Sequence, residues 1–207
     1  MLSDDGRRED ITATPDPDAP LTGARKVAFL VAPEGVEQVE LVQPWRAVSD
    51  AGAEPVLVST VSGKIQAFNH LDRGDSFPVD QTVDQLDTTE FDALVLPGGV
   101  ANPDYLRTVP GAVALVQDFF NRGLPVAVIC HGPWTLIDAG VVRGRDITSW
   151  PSLATDLKNA GADWVDQEVV VCRKGPNTLV SSRNPDDLPA FCANLVDVLR
   201  REHPVPA

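Results

Sequence analysis

The sequence predicts an α/β fold: a single doubly wound, mostly parallel sheet with helices on both faces. Three observations predict it. Short apolar runs (KVAFLVA, PVLVST, FDALVLPGG and PVAVIC) are rich in Val, Leu and Ile and suit strands buried on both sides. Between them lie segments of helical length with one apolar face and a closing glycine, such as GAVALVQDFFNRG. Three turn-rich stretches, VAPEG, VLPGG and VICHG, end such runs. In an open α/β sheet they meet in the crevice beyond the carboxyl ends of the strands.

Taken in order, KVAFLVA is the first strand, and EQVELVQPWRAVSDAG the first helix. Val39, Val42, Ala47 and Ala51 mark its apolar face, Gly52 its C-terminal cap, and Pro44 is a possible point of distortion. PVLVST follows as a strand, and GKIQAFNHLDRGDSFPVD reads as a short β excursion with turns. FDALVLPGG is a central strand, and NPDYLRTVPG an exposed, Pro-bounded segment after it. In GAVALVQDFFNRG, Val113, Val116, Phe119 and Phe120 share one face. PVAVIC is again a strand and HGPWTLIDAG a helix. DITSW, the helical SLATDLKNAG, and the strands QEVVVCR and TLVSSR come next, the last two joined by KGPN. The final helix starts at Asn184 as N-cap, with Pro185 at its first position and acids in its first turn.

The chain of 207 residues is long enough for a substantial core, and a formal net charge of −13 opposes a nucleic-acid groove or docking on anionic lipid. Its apolar runs are far shorter than the ~20 residues of a membrane span. Residues 1–24 are acidic, Pro-rich and without an apolar signal core, and are expected to be a flexible extension rather than an export tag. The domain is expected over 25–201, with a tail at 202–207. Cys130, Cys172 and Cys192 are odd in number and widely spaced, which argues against disulfides or a zinc site and for a reducing, cytoplasmic setting.

Cys130 ends a strand and precedes a helix, where unsatisfied N–H groups and the helix dipole favour a thiolate. The turn resembles a nucleophile elbow, with Gly132 supplying the small neighbour and Val128 bulkier than the usual glycine. Cys172 and Cys192 fall within a strand and a helix pattern and read as core thiols. Of the three histidines, His203 lies four residues from the C-terminus and His70 in the β excursion, so His131 is the best partner for Cys130.

From about Lys26 to Leu199 the chain resembles the ThiJ/PfpI (DJ-one) superfamily, in its PfpI-like intracellular protease and deglycase branch. The resemblance rests on EGVEQVEL, FDALVLPGG, NPDYLR, AVICHGP, AGVVRGRDITSWPS, NAGADWVDQEVVV and SSRNPDDLPAF, in that order. It implies a flavodoxin-like sandwich, also found in class I glutamine amidotransferases, with no cofactor and no metal. Cys130 falls on the family nucleophile and His131 on its adjacent histidine. Glu37 matches the glutamate that contacts the sulfur. Asp104 matches the acid of a Cys-His-acid triad, which in PfpI-like relatives comes from a neighbouring subunit. Gly99 matches an oxyanion-hole N–H, with the His131 N–H as companion. Asp104 is shorter than the glutamate many relatives carry, and Trp134 stands where several have glutamine.

The implied function is a stress-related cysteine hydrolase acting on glyoxal or methylglyoxal adducts or on peptide bonds, as a homodimer or hexamer. The alternative is a redox-sensing stress protein or chaperone whose cysteine is oxidised rather than turned over. His131 and Asp104 favour the enzyme, because a sensor needs no triad.

Overall fold

Alternate residues of the first strand feed two separate cores: Ala28 and Leu30 on one side, Val27, Phe29 and Val31 on the other. That strand, β1 (Lys26–Val31), is the inner member of a sheet covered on both faces. The computed structural model describes residues 25–201, so the expected extension, the tail and His203 lie outside the described residues.

β2 (Glu34–Glu37) runs directly into α1 (Gln38–Asp50), followed by β3 (Glu54–Ser59). β4 (Lys64–Asn69) and β5 (Asp72–Pro78) form a hairpin, and β6 (Gln81–Thr82) is a short edge strand. β7 (Ala93–Leu96) leads to α2 (Ala101–Leu106) and α3 (Pro110–Asn121), and β8 (Val126–Ile129) to α4 (Pro133–Asp138). β9 (Asp146–Ile147), α5 (Ala154–Asn159), β10 (Asp163–Trp164), β11 (Val169–Cys172), β12 (Leu179–Ser182) and α6 (Leu188–Arg201) complete the described chain.

The main sheet has the order β11-β12-β8-β7-β1-β3-β6, with only β11 antiparallel to its neighbour. Helices α1 and α6 cover the face that carries Phe29, and α2 to α5 cover the other. A second sheet, β2-β4-β5, stands beside α1, and β9 pairs with β10. Among the described residues no helix is long and apolar enough to cross a membrane.

Four expectations need correction. The inner face of α1 is Glu40, Leu41, Pro44 and Val48, whereas Val39, Val42 and Ala47 are half-buried flanks. Pro44 is accommodated inside the helix and buried. The segment NPDYLRTVPG is exposed only in part, because Ala101–Leu106 forms a helix with Asn102, Pro103 and Leu106 turned inward. The cap of the last helix closes a 3₁₀ turn first: the Asn184 side chain accepts from the Asp186 N–H, and α6 begins after Asp187.

Candidate active site

Strands β7 and β8 are parallel neighbours with Leu96 opposite Val128, so Pro97–Gly99 and Cys130–His131 emerge side by side. Cys130 has φ +61°, and only His70 shares a positive φ among the described non-glycine residues. Such a backbone is costly and persists only where its surroundings hold it. Here they do: the Cys130 N–H donates to Ser182 O at 3.1 Å, and its carbonyl accepts from the Trp150 N–H at 2.9 Å. A Cβ on Gly132 would lie 2.7 Å from both Leu96 O and Val128 Cγ2. The bulk of Val128 therefore occupies the room that glycine leaves free. The helix that follows is only six residues long and starts at Pro133. Its dipole is correspondingly slight, so individual N–H groups replace the dipole expected from the sequence.

Those groups come from Gly99 and His131, whose backbone N–H groups face the Cys130 sulfur and favour its anion. Gly99 has φ +80°, and a Cβ there would stand 2.1 Å from Gly35 O, so only glycine permits this approach. Asn102 fixes the same corner. Its Oδ1 accepts from the Ala32 N–H at 2.7 Å, while its Nδ2 donates to Pro97 O and Gly98 O at 2.9 and 3.0 Å. The ends of β1 and β7 are thereby tied together beneath the sulfur.

The carboxyl that stands beside the Cys130 thiol and acts on its titration is Glu40, not Glu37. Glu40 is fully buried, and its Oε2 accepts from the Gly98 N–H at 2.8 Å. Its Oε1 is buried with no hydrogen-bond partner among the described residues. Burial, reinforced by the like charge of Glu37, pushes its pKa up to about 8, so it is protonated at neutral pH. Glu37 lies one helical turn earlier, where β2 becomes α1, and its Oε2 accepts from the His70 N–H at 3.0 Å. It lines the same cavity without being the sulfur's partner. Burial pushes the thiol up as well, and an anionic Glu40 would push it further, while the two N–H groups pull it down. Two adjacent anions are unfavourable, so the Cys130–Glu40 pair retains a proton at neutral pH, and the thiolate form is the one in which Glu40 keeps it.

His131 places Nδ1 3.1 Å from the sulfur. Its ring stacks on Trp150, with centroids 5.5 Å apart at 24°, and meets Trp134 at 5.3 Å and 59°. Burial lowers its pKa to about 4, so it is a neutral imidazole able to take a proton from the thiol. Trp134 is held in turn, its Nε1 donating to Asp156 Oδ2 at 3.0 Å and the Arg107 guanidinium lying 5.5 Å over its ring. Among the described residues no carboxylate hydrogen-bonds the imidazole. Asp104 is exposed on α2 and does not line the cavity.

The cavity above these groups has a volume of about 410 Å³ and is bordered by Phe68, His70, Leu71, Val100, Trp150 and Pro185. Glu40, Asn102 and Trp150 are residues whose roles sequence reasoning missed. An acid on the buried face of α1 was the available signal for Glu40. Cys172 is buried and Cys192 half-buried, the latter pushed up to about 11 by burial. Among the described residues no cluster of His, Cys, Asp and Glu is arranged to hold a metal ion.

Residues 25–198 match the DJ-1/PfpI family. The chain belongs to that family. It is 45% identical over 175 residues to a deglycase of Pyrococcus horikoshii, covering 84% of this chain and 99% of that one. It is 43% identical over 169 residues to protein/nucleic acid deglycase 2 of Escherichia coli, covering 81% and 94%. Among solved structures, a two-domain protein from Anabaena variabilis with DJ-1/ThiJ/PfpI-like and ferritin-like domains superposes with a TM-score of 0.78 at 34% identity. The match covers 88% of this chain and half of that one.

Proposed function

We propose that the protein is a PfpI-type cysteine hydrolase of the cytoplasm that removes glyoxal and methylglyoxal adducts from amino and thiol groups. The observation that carries this reading is the Cys130 sulfur, held between a protonated carboxyl, a neutral imidazole and two converging N–H groups. The deglycase relatives support the choice of substrate.

In this reading His131 Nδ1 takes the thiol proton as sulfur attacks the carbinol carbon of the adduct, and returns it to the amine or thiol that leaves. The resulting hemithioacetal carries its carbonyl on the adjacent carbon. A proton moves from the sulfur-bearing carbon to that neighbour, converting the hemithioacetal into a thioester. Water cleaves the thioester, releasing a 2-hydroxy acid and the free thiol. The N–H groups of Gly99 and His131 face the sulfur, where they would stabilise an oxyanion on the carbon bonded to it. Glu40 is the group placed to hold or pass the shifting proton. Asp104 would orient His131 from a second copy of the chain, since it is exposed on α2 beside the half-exposed Tyr105.

The test is turnover of methylglyoxal-modified N-acetylarginine, modified N-acetylcysteine and casein by wild type and Cys130→Ala. Release of lactate and free amine or thiol by wild type alone supports the proposal. Casein cleavage without deglycation would assign the nucleophile to peptide bonds. Oxidation of Cys130 with no turnover of any substrate would assign it to redox sensing.

A further inference from the structure

Among the described residues the His131 ring hydrogen-bonds the Cys130 sulfur and no carboxylate. Its tilt over the sulfur is therefore set by the two indoles packed on it, Trp134 at 59° and Trp150 at 24°. An indole can orient an imidazole only if it is itself held. Both are held by the segment that runs from β9 through α5 to β10. On the Trp134 side Asp156 of α5 accepts from the indole Nε1, but that bond is exposed to solvent. Water competes there for both partners, so the bond contributes little.

The Trp150 side is built differently. Ser149 is fully buried, and its Oγ donates to the Trp150 carbonyl at 2.9 Å. The same oxygen accepts from Trp164 Nε1 at 3.0 Å. An indole N–H can only donate, which leaves the hydroxyl proton for Trp150. Trp164 is placed by β10, where it pairs with Ile147 of β9, and the Lys158 ammonium lies 5.1 Å from its ring centre. One residue before Ser149, the Thr148 N–H donates to Ser181 Oγ at 3.0 Å and ties the segment to β12. Trp150 donates its own N–H to Cys130 O, and its carbonyl also accepts from the Leu153 N–H at 3.0 Å. Both backbone polar groups of Trp150 are thus fixed, while its ring, 37% exposed, has little of the core to hold it. The backbone decides where that ring stands.

We propose that Ser149 and Trp164 are positioning residues for His131: through the carbonyl of Trp150 they fix the indole on which the imidazole stacks, and with it the approach of Nδ1 to the sulfur. The proposal rests on His131 serving Cys130 as base and adds what aims that base within a single chain. Neither Ser149 nor Trp164 lines the cavity. Of the two supports, the buried hydroxyl outweighs the exposed carboxylate, because no water replaces its bonds when it is removed.

Alkylation of Cys130 by iodoacetamide, followed by peptide mass spectrometry across neutral pH, tests it without any substrate. Ser149→Ala is expected to slow alkylation about tenfold, and to do nothing further in a His131→Ala background. Trp164→Phe keeps a ring on β10 and removes only the N–H. It is expected to slow alkylation about threefold, and to add nothing to Ser149→Ala. In turnover of methylglyoxal-modified N-acetylcysteine both variants should lower kcat with KM unchanged. Equal slowing by Ser149→Ala in the wild-type and His131→Ala backgrounds overturns the proposal, because a merely structural defect ignores the histidine. Unchanged alkylation in both variants overturns it too. Should Ser149→Ala fail to fold, Trp164→Phe in the same two backgrounds decides by the same criterion. If wild type turns over no adduct while the alkylation differences persist, the deglycase reading fails and the positioning pair stands.

Discussion

At and beneath the floor of the cavity Cys130, Glu40 and Asn102 are buried, and backbone groups just after β1 and β7, at the end of β12 and at Trp150 hold them. At the rim His70 and Leu71 sit in a two-residue turn exposed to solvent and held by a single carboxylate and a neighbouring glutamine. Both regions contain a non-glycine residue with positive φ, but they sustain it differently. The floor is over-determined by the main sheet, so a substitution there changes fold and chemistry together. The rim hangs on a side sheet, so a substitution there leaves the main sheet in place. The two regions should therefore separate by mutation.

The largest effect is expected from the group that the floor lacks. Asp104→Ala should leave the fold intact and cut turnover by roughly 10³–10⁴-fold, as loss of a triad acid does. If the acid comes from a second copy as proposed, refolding it together with Cys130→Ala should restore part of the activity, because mixed oligomers would hold sites with both wild-type groups. No recovery in mixed oligomers verified by native mass spectrometry would remove a shared site.

Gly99→Ala attacks the floor itself. Its Cβ would meet Gly35 O at 2.1 Å in a left-handed conformation, and a loss of roughly 3–5 kcal/mol in denaturant unfolding is expected. By contrast Leu71→Ser, at the rim, should change unfolding by less than about 0.5 kcal/mol.

The pH dependence of stability sharpens the comparison further. Glu40 keeps its proton to about pH 8 in the fold but releases it near 4.5 in the unfolded chain, so stability falls as pH rises across that window. His131 stays neutral down to about pH 4 in the fold, whereas the unfolded chain binds a proton near 6.5, so stability falls as pH drops across that window. The contributions oppose each other between 4.5 and 6.5 and leave a decline between 6.5 and 8 of roughly 2 kcal/mol. Chemical denaturation of Glu40→Gln across this range should show that decline abolished and the histidine's rise between about 4 and 6.5 uncovered.

The smallest effect concerns the aromatic clamp. Trp134→Gln should admit water to the imidazole and raise its pKa by about one unit, measured by NMR titration of His131. An unchanged titration would mean that Trp150 alone keeps the ring dry.

Much of this was legible in the sequence. The β-branched runs announced the buried parallel strands, and the His-Gly-Pro turn after Cys130 announced the strand-to-helix junction. The identity of the acid at the sulfur was not, because periodicity counts apolar residues and places carboxylates outside. α1 is rotated so that Glu40 shares the inner face with Leu41 and Val48, which no count of hydrophobic residues would choose. Asn102 was missed for a related reason: a polar residue beside a proline reads as a turn, while its value lies in joining the distant Ala32 N–H to the nearby carbonyls of Pro97 and Gly98. Trp150 became visible as a wall only when its ring was found stacked on His131.

The backbone of Cys130 is bonded on one side to Ser182 at the end of β12 and on the other to Trp150. β12 is synthesised long after β8 yet is its immediate neighbour in the sheet. A nascent chain halted before β12 would carry the cysteine without the partner that bends it into its left-handed conformation. The thiol's special environment is therefore a late product of synthesis, acquired only as the last strand enters the sheet.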